Sequence, residues 1–447
     1  MIPESLIHKL QCPFCEKGLS LQSRDPSIGP VRNGLLACEC SKFPIIDGIA
    51  VIKKELPPVV FDAMGRAAWQ EALSALLLDE IPERLQLRGA RALSRVTGFS
   101  LVGRKFYEFE QQRRVSLVER FLSEQGMSAR EALHLVLPNS DFGDYLYYKL
   151  GQPRHLVALG LITAVGAGDG PVLDFGCAAG HITRGIMLRN RMGPVIGVDR
   201  FFGLLYVASH FVAPQGVYVC CDGEYAWPFA DGIFQRLFCF DAFHYVYGKK
   251  RWLREARRVV QPYGPLCIGS IRNALVPQMH EGAFISPDVA AGLMAVDPYV
   301  LFSDDEVLKR YREGRGPDFR PKSACDLPRE AELFSVISGP ESILIDYDAQ
   351  TAPPHVVGDL GVNPLLVKVQ EAHGHVKFAR HFPSEFYRKE NEQIEGYLPE
   401  SIELTSTDYE ALRRGIHYSE LDERLQALAA TTALIDLPPG YRERPSL

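Results

Sequence analysis

The sequence VLDFGCAAGHITRG, residues 172–185, contains an apolar run that reaches Asp174 and then a turn with glycines at Gly176 and Gly180. The residues after the turn have the apolar spacing of a helix. Because glycine lets a backbone approach a ligand closely, a strand that enters a helix through such a turn is typical of a ligand-binding α/β fold. Neither the GxGxxG pattern of dinucleotide-binding turns nor the GK[ST] ending of phosphate loops is present here. The stretch therefore predicts a ligand turn of a different kind.

Short apolar runs alternate with helical patterns over residues 171–272, and the quoted stretch opens this alternation. Crossovers of this kind predict an α/β fold with a doubly wound, mostly parallel sheet and helices on both faces. Ligands of such sheets bind outside the carboxyl ends of the strands, which is where the glycine turn falls. The predicted strands are PVLDFG, PVIGVD, GVYVCCDG, RLFCFDAF and PLCIGSI.

Three carboxylates that follow the predicted strands indicate the charge of the ligand. Asp174 stands beside the turn, where it would repel a pyrophosphate group. A ligand with a cationic head and no phosphate suits this position, and S-adenosylmethionine is such a ligand. Asp199 ends the next strand and is placed to accept hydrogen bonds from ribose hydroxyls. Asp222 follows the third strand, from which a side chain can reach an adenine amino group.

Five pieces of this region occur in the order and at the spacing of one family: VLDFGCAAGHIT, VIGVD, CDGEYAWPFADGIF, FDAFHYV and EARRVVQPYGPLCIGSI. The region resembles the class I, seven-stranded S-adenosylmethionine-dependent methyltransferases. The chain departs from the family pattern at Ala178, where glycine is usual, and at Gln235, where aspartate is usual. The resemblance implies a Rossmann-like fold with S-adenosylmethionine as cofactor. It also implies cofactor contacts from Asp174, Gly176, Cys177, Ala178, Gly180, Asp199, Arg200, Asp222, Gly223 and Asp241.

Further side chains outside the strands are candidates for binding or chemistry. Tyr145, Tyr147 and Tyr148 precede the first strand, and Tyr148 is taken as a contact to the methionine end of the cofactor. Arg154 can pair with the carboxylate of the cofactor. His244, just past the fourth strand, is the candidate catalytic base for an acceptor that must lose a proton. The alternative is packing, as an aromatic core stripe for the tyrosines and as a buried structural histidine for His244.

Four of the ten cysteines cluster near the start of the chain, at Cys12, Cys15, Cys38 and Cys40. Two close pairs of thiolates suit tetrahedral structural zinc, and a module of about 55 residues has little core of its own. The segment FPIIDGIAVIKKE that follows resembles the end of a zinc-ribbon family that includes small activator subunits of tRNA and translation-factor methyltransferases. The CxC spacing of the second pair departs from the commoner CxxC, which puts the Cys40 ligand in doubt. The alternative is four reduced thiols without a metal.

The chain of 447 residues is long enough for two or three domains, and its 46% hydrophobic and 23% charged residues are typical of globular proteins. No apolar run reaches the roughly 20 residues that span a bilayer, and the N-terminus lacks a signal pattern. A cytoplasmic protein without membrane contact is therefore expected. The predicted units are a zinc ribbon (1–55), a helical substrate-lid region (56–150), a cofactor-binding core (151–275) and a C-terminal part that completes the sheet and adds an extension (276–447).

Three functional hypotheses from different classes stay open. The first is methyl transfer to a small-molecule acceptor, preferably a natural-product biosynthetic intermediate, because large additions to a methyltransferase core usually build a substrate lid. The second is an RNA base methyltransferase that recognises its substrate through the ribbon, although the net charge of −6 disfavours nucleic acid as a partner. The third is a cyclase-like enzyme or interaction protein on the same fold that transfers no methyl group. A homodimer is compatible with each of them.

Overall fold

A computed structural model describes residues 1–24, 29–80, 112, 115–116, 118–123, 127–137, 140–166, 168–190, 193–278, 281–319, 328–340 and 353–442 of the chain. The apolar spacing of residues 103–126 predicts a helix, and the apolar run ESILIDY, 341–347, predicts a strand. The first segment lies mostly, and the second wholly, outside the described residues.

The central feature of the described residues is an eleven-stranded sheet with the order β1-β2-β3-β4-β7-β6-β5-β8-β9-β11-β10. A three-stranded sheet, β13-β14-β15, and a strand pair, β12-β16, lie in the C-terminal part. The strands are β1 Ser20–Arg24, β2 Gly34–Ala37, β3 Lys42–Ile46, β4 Ile49–Ile52, β5 Val172–Phe175, β6 Val195–Asp199, β7 Val217–Cys221, β8 Arg236–Phe240, β9 Leu266–Arg272, β10 Tyr299–Ser303, β11 Leu333–Ser338, β12 Leu360–Val362, β13 Leu366–Ala372, β14 His375–Arg380, β15 Ser401–Thr405 and β16 Leu434–Asp436.

Strands β5 to β9 coincide with the apolar runs that the sequence predicts, and they pair in parallel. Strand β11 pairs antiparallel with β9, and β10 pairs antiparallel with β11. The expectation of an α/β fold with a parallel sheet is confirmed for the central strands, whereas the strands on both flanks pair antiparallel. Because parallel strands share one carboxyl edge, the residues that follow β5, β6, β7 and β8 gather at the same edge of the sheet.

The N-terminal strands extend this sheet and do not form a separate one. Strand β4 pairs in parallel with β7, and β1 to β3 continue outward as an antiparallel meander. Ile2, Leu6 and Leu10 belong to the same buried cluster as Leu173 and Trp227. The first 55 residues therefore share their core with the parallel sheet, which compensates for the small core of so short a segment.

One segment that the sequence predicts as a single helix is divided in the structure. The apolar spacing of residues 58–78 predicts one helix, but the segment forms two, because Ala67 adopts a left-handed backbone with φ of 56°. The helices are α1 Glu4–Ile7, α2 Pro58–Gly65, α3 Trp69–Glu80, α4 Ala129–Val136, α5 Ser140–Tyr147, α6 Pro153–Val165, α7 His181–Met187, α8 Phe202–Val207, α9 Lys249–Val259, α10 Pro287–Met294, α11 Asp304–Arg312, α12 Glu385–Glu390, α13 Ser406–Arg414 and α14 Glu423–Ala430.

Helix α6 joins the sheet to the C-terminal part. It is apolar on every side, buried over nearly its whole length, and packs against β9, α7 and α11. A second buried cluster runs from this helix into β13, β14 and β15. Within the described ranges, no helix is long and apolar enough to cross a membrane.

Candidate functional site

The glycine turn after β5 has the backbone that the quoted sequence predicts. Gly176 and Gly180 have φ of 75° and 81°, and Ala178 also adopts a positive φ, 46°. A Cβ at Gly176 would lie 2.6 Å from the Cβ of Ala242, and one at Gly180 would lie 2.8 Å from the Cβ of Ala208. Glycine is therefore required at both positions. Alanine at 178 accepts a strained conformation that costs about 1–2 kcal/mol.

Asp174 lies beneath this turn. Its carboxylate is buried and accepts a hydrogen bond from the Thr183 hydroxyl at 2.6 Å. Burial raises the pKa of Asp174 to about 7, although the bond from Thr183 opposes this shift. The group is thus partly protonated near neutral pH, and its immediate partner is the first turn of α7.

Asp199 connects the end of β6 to the glycine turn. One carboxylate oxygen accepts a bond from the Ala178 backbone N–H at 2.9 Å, and the other accepts from the Phe201 N–H at 3.0 Å. Burial raises the pKa of Asp199, while these backbone donors oppose the shift. The neighbouring Arg200 lies over the exposed Phe201 ring, 4.7 Å from its centroid. The Asp199 carboxylate therefore holds the backbone of the glycine turn, and its remaining lone pairs are available at the carboxyl edge of the sheet.

The other residues expected at the cofactor lie along the same edge. Asp222 follows β7 and accepts a bond from the Glu224 backbone N–H at 3.0 Å. Gly223 leaves space for the Phe175 ring, which a Cβ would approach to 2.5 Å. Cys177 is buried in the turn, and burial raises the pKa of its thiol. The sheet thus brings Asp199, Asp222 and Asp241, at the ends of β6, β7 and β8, to one edge.

A buried ionic network covers the end of β8. Asp241, with φ of 54°, accepts bonds from the Tyr145 hydroxyl and from the Lys149 ammonium, the latter at 2.7 Å. Lys149 and Arg154 also donate to the Tyr145 oxygen, at 3.0 and 3.1 Å. Burial acts to raise the pKa of Asp241, but the charges of Lys149 and Arg154 outweigh it and hold the pKa well below its usual range. Asp241 is therefore ionised.

The network continues into the C-terminal part through Glu390. Arg154 and Arg272 donate to the same Glu390 oxygen, at 3.0 and 3.2 Å. The Nε atoms of Arg154 and Arg272 are buried and have no hydrogen-bond partner among the described residues.

Three residues of this network, Lys149, Arg272 and Glu390, were not predicted from the sequence. For Lys149 a signal existed, because it stands four residues after Tyr145 and i,i+4 residues of a helical segment face the same side.

Tyr148 lies apart from this network. Its ring packs edge-on against Tyr147 and Tyr387, with centroids 4.9 and 5.7 Å apart. The Arg130 guanidinium lies 5.7 Å from its centroid. Of the three neighbouring tyrosines, Tyr145 is the one that the structure brings to Asp241. Tyr148 occupies the aromatic core stripe that was the alternative interpretation.

His244 follows Asp241 in a short helical turn and is only 1% exposed. Its Nδ1 atom has no hydrogen-bond partner among the described residues. Burial lowers the pKa of His244 to about 4, and the opposing charge of Asp241 does not reverse this. The imidazole is therefore neutral at pH 7, which is the state that a proton acceptor needs.

The four N-terminal cysteines form a compact cluster. Their sulfur atoms all lie within 4.8 Å of one another. The distances are 3.5 Å for Cys12–Cys40, 3.5 Å for Cys38–Cys40 and 3.7 Å for Cys15–Cys38. Four thiolates at about 2.3 Å from a tetrahedral zinc ion lie about 3.8 Å apart, so the cluster has the dimensions of a zinc site.

Comparison with protein families matches residues 173–268 to a family described as methyltransferase domain. The chain contains a methyltransferase domain. The matched residues begin in β5 and end in β9, so they include the glycine turn, Asp199, Asp222 and His244. Methyl transfer that depends on S-adenosylmethionine is the supported chemistry of this domain.

Solved structures with similarity to the chain carry methyltransferase descriptions as well. One chain of a complex between the Haloferax volcanii Trm112 methyltransferase activator and a methyltransferase is 15% identical, with 45% of this chain and 96% of that chain covered and a TM-score of 0.34. An Aquifex aeolicus SAM-dependent methyltransferase is 15% identical, with 44% and 97% covered and a TM-score of 0.32. A search among curated proteins found no match.

The ionic network joins the methyltransferase domain to residues outside it. Asp241 lies within the matched range, whereas Tyr145, Lys149 and Arg154 precede it and Glu390 follows it. Additions on both sides of the domain thus meet over the end of β8.

Proposed function

We propose that the chain transfers the methyl group of S-adenosylmethionine to a small-molecule acceptor at the carboxyl edge of β5, β6, β7 and β8. The observation that carries this proposal is the coincidence of the glycine turn, Asp199 and Asp222 at one edge within the matched methyltransferase domain. These residues suit an adenosine group without phosphate, since the carboxylates of Asp199 and Asp222 would repel a pyrophosphate at this edge.

Each residue of this edge has a proposed task in holding the cofactor. The turn carries no side chain at Gly176 or Gly180, so its backbone can approach the amino acid end of the cofactor closely. Asp199 accepts the ribose hydroxyls with its remaining lone pairs, and Asp222 accepts from the adenine amino group. The buried Nε of Arg154, which has no hydrogen-bond partner among the described residues, suits a carboxylate oxygen. When bound, S-adenosylmethionine supplies a methyl group on a sulfonium centre.

The enclosure of the edge favours a small acceptor. Tyr145 and Lys149 bind the Asp241 carboxylate, and Arg154 connects Tyr145 to Glu390; the Asp241 side chain is only 14% exposed. Methyl transfer needs alignment of two reactants and exclusion of water, and a covered edge serves both needs. A natural-product intermediate stays the preferred acceptor class on the sequence grounds given above.

His244 is the proposed proton acceptor for an acceptor that reacts through a hydroxyl or a protonated amine. It is neutral, lies three residues after Asp241 and keeps its Nδ1 atom without a partner among the described residues. The buried carboxylate of Asp241 stabilises the imidazolium that proton transfer produces.

We propose that Cys12, Cys15, Cys38 and Cys40 hold a structural zinc ion. The sulfur distances support four thiolate ligands, Cys40 included, and four protein ligands leave no open position for catalysis.

A groove beside the ribbon supports RNA base methylation as a second candidate function. It has a volume of about 540 Å3, lies between the ribbon and α2, and is lined by Lys42, Lys53, Lys54, Phe14 and Phe43 among others. Lysines beside aromatic rings suit single-stranded nucleic acid. RNA binding that weakens steeply with salt would favour this candidate, and absent or salt-insensitive binding would remove it.

Calorimetric titration with S-adenosylmethionine and with S-adenosylhomocysteine tests the proposal. We expect both to bind the wild-type protein and expect Asp199→Ala to weaken binding by about 1–3 kcal/mol through loss of charge-assisted hydrogen bonds. Asp62→Ala, an exposed carboxylate on α2, is the matched control and should bind like the wild type. Failure of the wild type to bind either compound would favour the non-methylating alternative.

A further inference from the structure

A groove of about 440 Å3 lies beside the loop that follows β8, outside the residues proposed to hold the cofactor. One wall consists of Tyr247, Lys250 and Arg251, at the start of α9. Phe284, Val289 and Leu293, on and before α10, form the other wall. We call this space the acceptor groove.

The acceptor groove adjoins the proposed proton acceptor. The His244 carbonyl accepts a bond from the Ala283 backbone N–H at 2.8 Å. The rings of His244 and Phe284 lie 6.3 Å apart between centroids. Phe284 therefore belongs both to the wall of the groove and to the surroundings of His244. A molecule in the groove lies next to the carboxyl edge of the methyltransferase domain.

The walls combine apolar surface with positive charge. Tyr247 is 79% exposed and Val289 is 49% exposed. Exposure of neighbouring apolar groups to water is unfavourable and is typical of surfaces that bind a ligand. Lys250 and Arg251 are exposed, and the first turn of α9 contains no acidic residue. No carboxylate is found among the groove's described lining residues.

Two nearby charges are already engaged elsewhere. The buried Lys249 ammonium donates to the carbonyls of Phe243 and Val246, at 3.2 and 2.7 Å. Glu224, behind the wall, accepts a bond from the Tyr247 backbone N–H at 3.0 Å. The charge presented to an occupant is therefore that of Lys250 and Arg251.

We infer that the acceptor groove binds the methyl acceptor and that this acceptor is an amphipathic organic anion. Its apolar body lies against Tyr247, Phe284 and Val289, and its acidic group faces Lys250 and Arg251. The inference rests on the proposed methyl transfer and specifies the substrate class of that same site. Charge complementarity and the contact of Phe284 with His244 select this occupant.

A pair of probes with equal chains and opposite charges tests the inference. Calorimetry should show binding of decanoate to the full chain and binding of decylammonium that is roughly tenfold weaker or undetectable. Val289→Asp should weaken decanoate binding roughly tenfold, because a carboxylate in the apolar wall repels the anion and is itself costly to desolvate. Lys250→Glu should weaken it roughly fivefold.

Matched variants separate the groove from general effects. Val296→Asp, at a position 90% exposed outside the groove, and Lys377→Glu, exposed on β14, should bind decanoate like the wild type. S-adenosylhomocysteine binding is measured on every variant and should not change. Equal affinity for the two probes, or unchanged decanoate binding in Val289→Asp, would overturn the inference. Loss of S-adenosylhomocysteine binding in the wild type would instead overturn the proposed function, and the decanoate result would still decide the chemistry of the groove.

Discussion

Glu390 is the shared carboxylate of the buried ionic network at the ends of β8 and β9. Its side chain is only 3% exposed, and it neutralises two buried guanidinium groups, those of Arg154 and Arg272. Removal of one partner from a buried ion pair leaves an uncompensated charge in the interior, which costs more than the pair itself contributes. The network is therefore a point at which the C-terminal part and the methyltransferase domain stabilise each other.

Glu390→Gln should lower the free energy of unfolding by about 3–5 kcal/mol, because two buried cations lose their shared carboxylate. Urea denaturation measures this change. Glu385→Gln is the matched control, since Glu385 begins the same helix with an exposed side chain and should alter stability by less than about 0.5 kcal/mol. Equal denaturation midpoints for the two variants would show that the network does not hold these parts together.

The buried side chain of His355 makes the folded chain less stable as the pH falls. The ring is buried, its Nε2 donates to the Ala429 carbonyl at 2.7 Å, and its Nδ1 lies 2.7 Å from the Tyr311 hydroxyl. Burial lowers the pKa of His355 to about 4. Below pH 6.5 the unfolded chain binds a proton that the folded chain excludes, so this contribution to stability is complete above pH 6.5 and is lost as pH falls towards 4.

The wild-type chain should lose free energy of unfolding between pH 7.5 and pH 5, and His355→Asn should lose about 2 kcal/mol less. The reason is that asparagine does not bind a proton in the unfolded chain. Denaturation at both pH values measures it. His375→Asn, at an exposed position of β14, should keep the wild-type difference. An unchanged pH dependence in His355→Asn would mean that the imidazole also takes up its proton in the folded state.

At the level of single residues, local motifs were predictable and long-range partners were not. The glycines and Asp199 were found because the turn and the strand end are adjacent in sequence. Lys149 meets Asp241 across 92 positions and Arg154 meets Glu390 across 236, so no local pattern marks these pairs. Among the adjacent tyrosines, only the packing distinguishes Tyr145, which contacts Asp241, from Tyr148, which contacts Tyr387.

At the scale of elements, the sheet shows how the ribbon and the methyltransferase domain are joined. Strand β4 pairs with β7, with Ala50 opposite Val219, although 169 positions separate these two residues in the sequence. The cysteine cluster and the apolar segment after it are visible in the sequence. The strand with which that segment pairs is not, because pairing depends on register and on packing in the folded chain. Ser303 and Glu306 have the spacing of a capping box, which predicts a helix start after Ser303. Helix α11 does start there, but the Ser303 side chain makes no cap bond among the described residues, and the buried Asp304 carboxylate accepts bonds from the Ser270 and Ser335 hydroxyls at 2.8 and 2.6 Å.

Because the ribbon shares its core with the domain, zinc removal should destabilise more than the ribbon. We expect native mass spectrometry to find one zinc ion per chain in the wild type and none in Cys38→Ser. We expect the thermal midpoint of the whole chain to fall by at least about 4 °C, which corresponds to roughly 4 kcal/mol in a chain of this size. Chelation of the wild type followed by zinc addition is the matched control and should restore the midpoint. A wild-type chain without zinc would contradict the assignment.

At the scale of the whole molecule, residues before and after the methyltransferase domain pack against it and cover part of its carboxyl edge. Arg184 at α7 pairs with Asp436 at the end of β16, and His181 contacts the Tyr441 hydroxyl at 2.5 Å. The helix that follows the glycine turn is thereby fastened to the last described segment of the chain. The sequence predicted the parallel core because its alternation is local, but it did not predict which distant segments cover the core, since those contacts follow from the packing of the folded chain.

The central claim is that the glycine turn holds a phosphate-free adenosine with a cationic amino acid end. A crystal structure of the protein with S-adenosylhomocysteine tests this most directly. We predict the homocysteine end above Gly176 and Gly180, the ribose hydroxyls on Asp199 and the adenine beside Asp222. A nucleotide whose pyrophosphate occupies the turn, or S-adenosylhomocysteine bound away from these strand ends, would contradict the account.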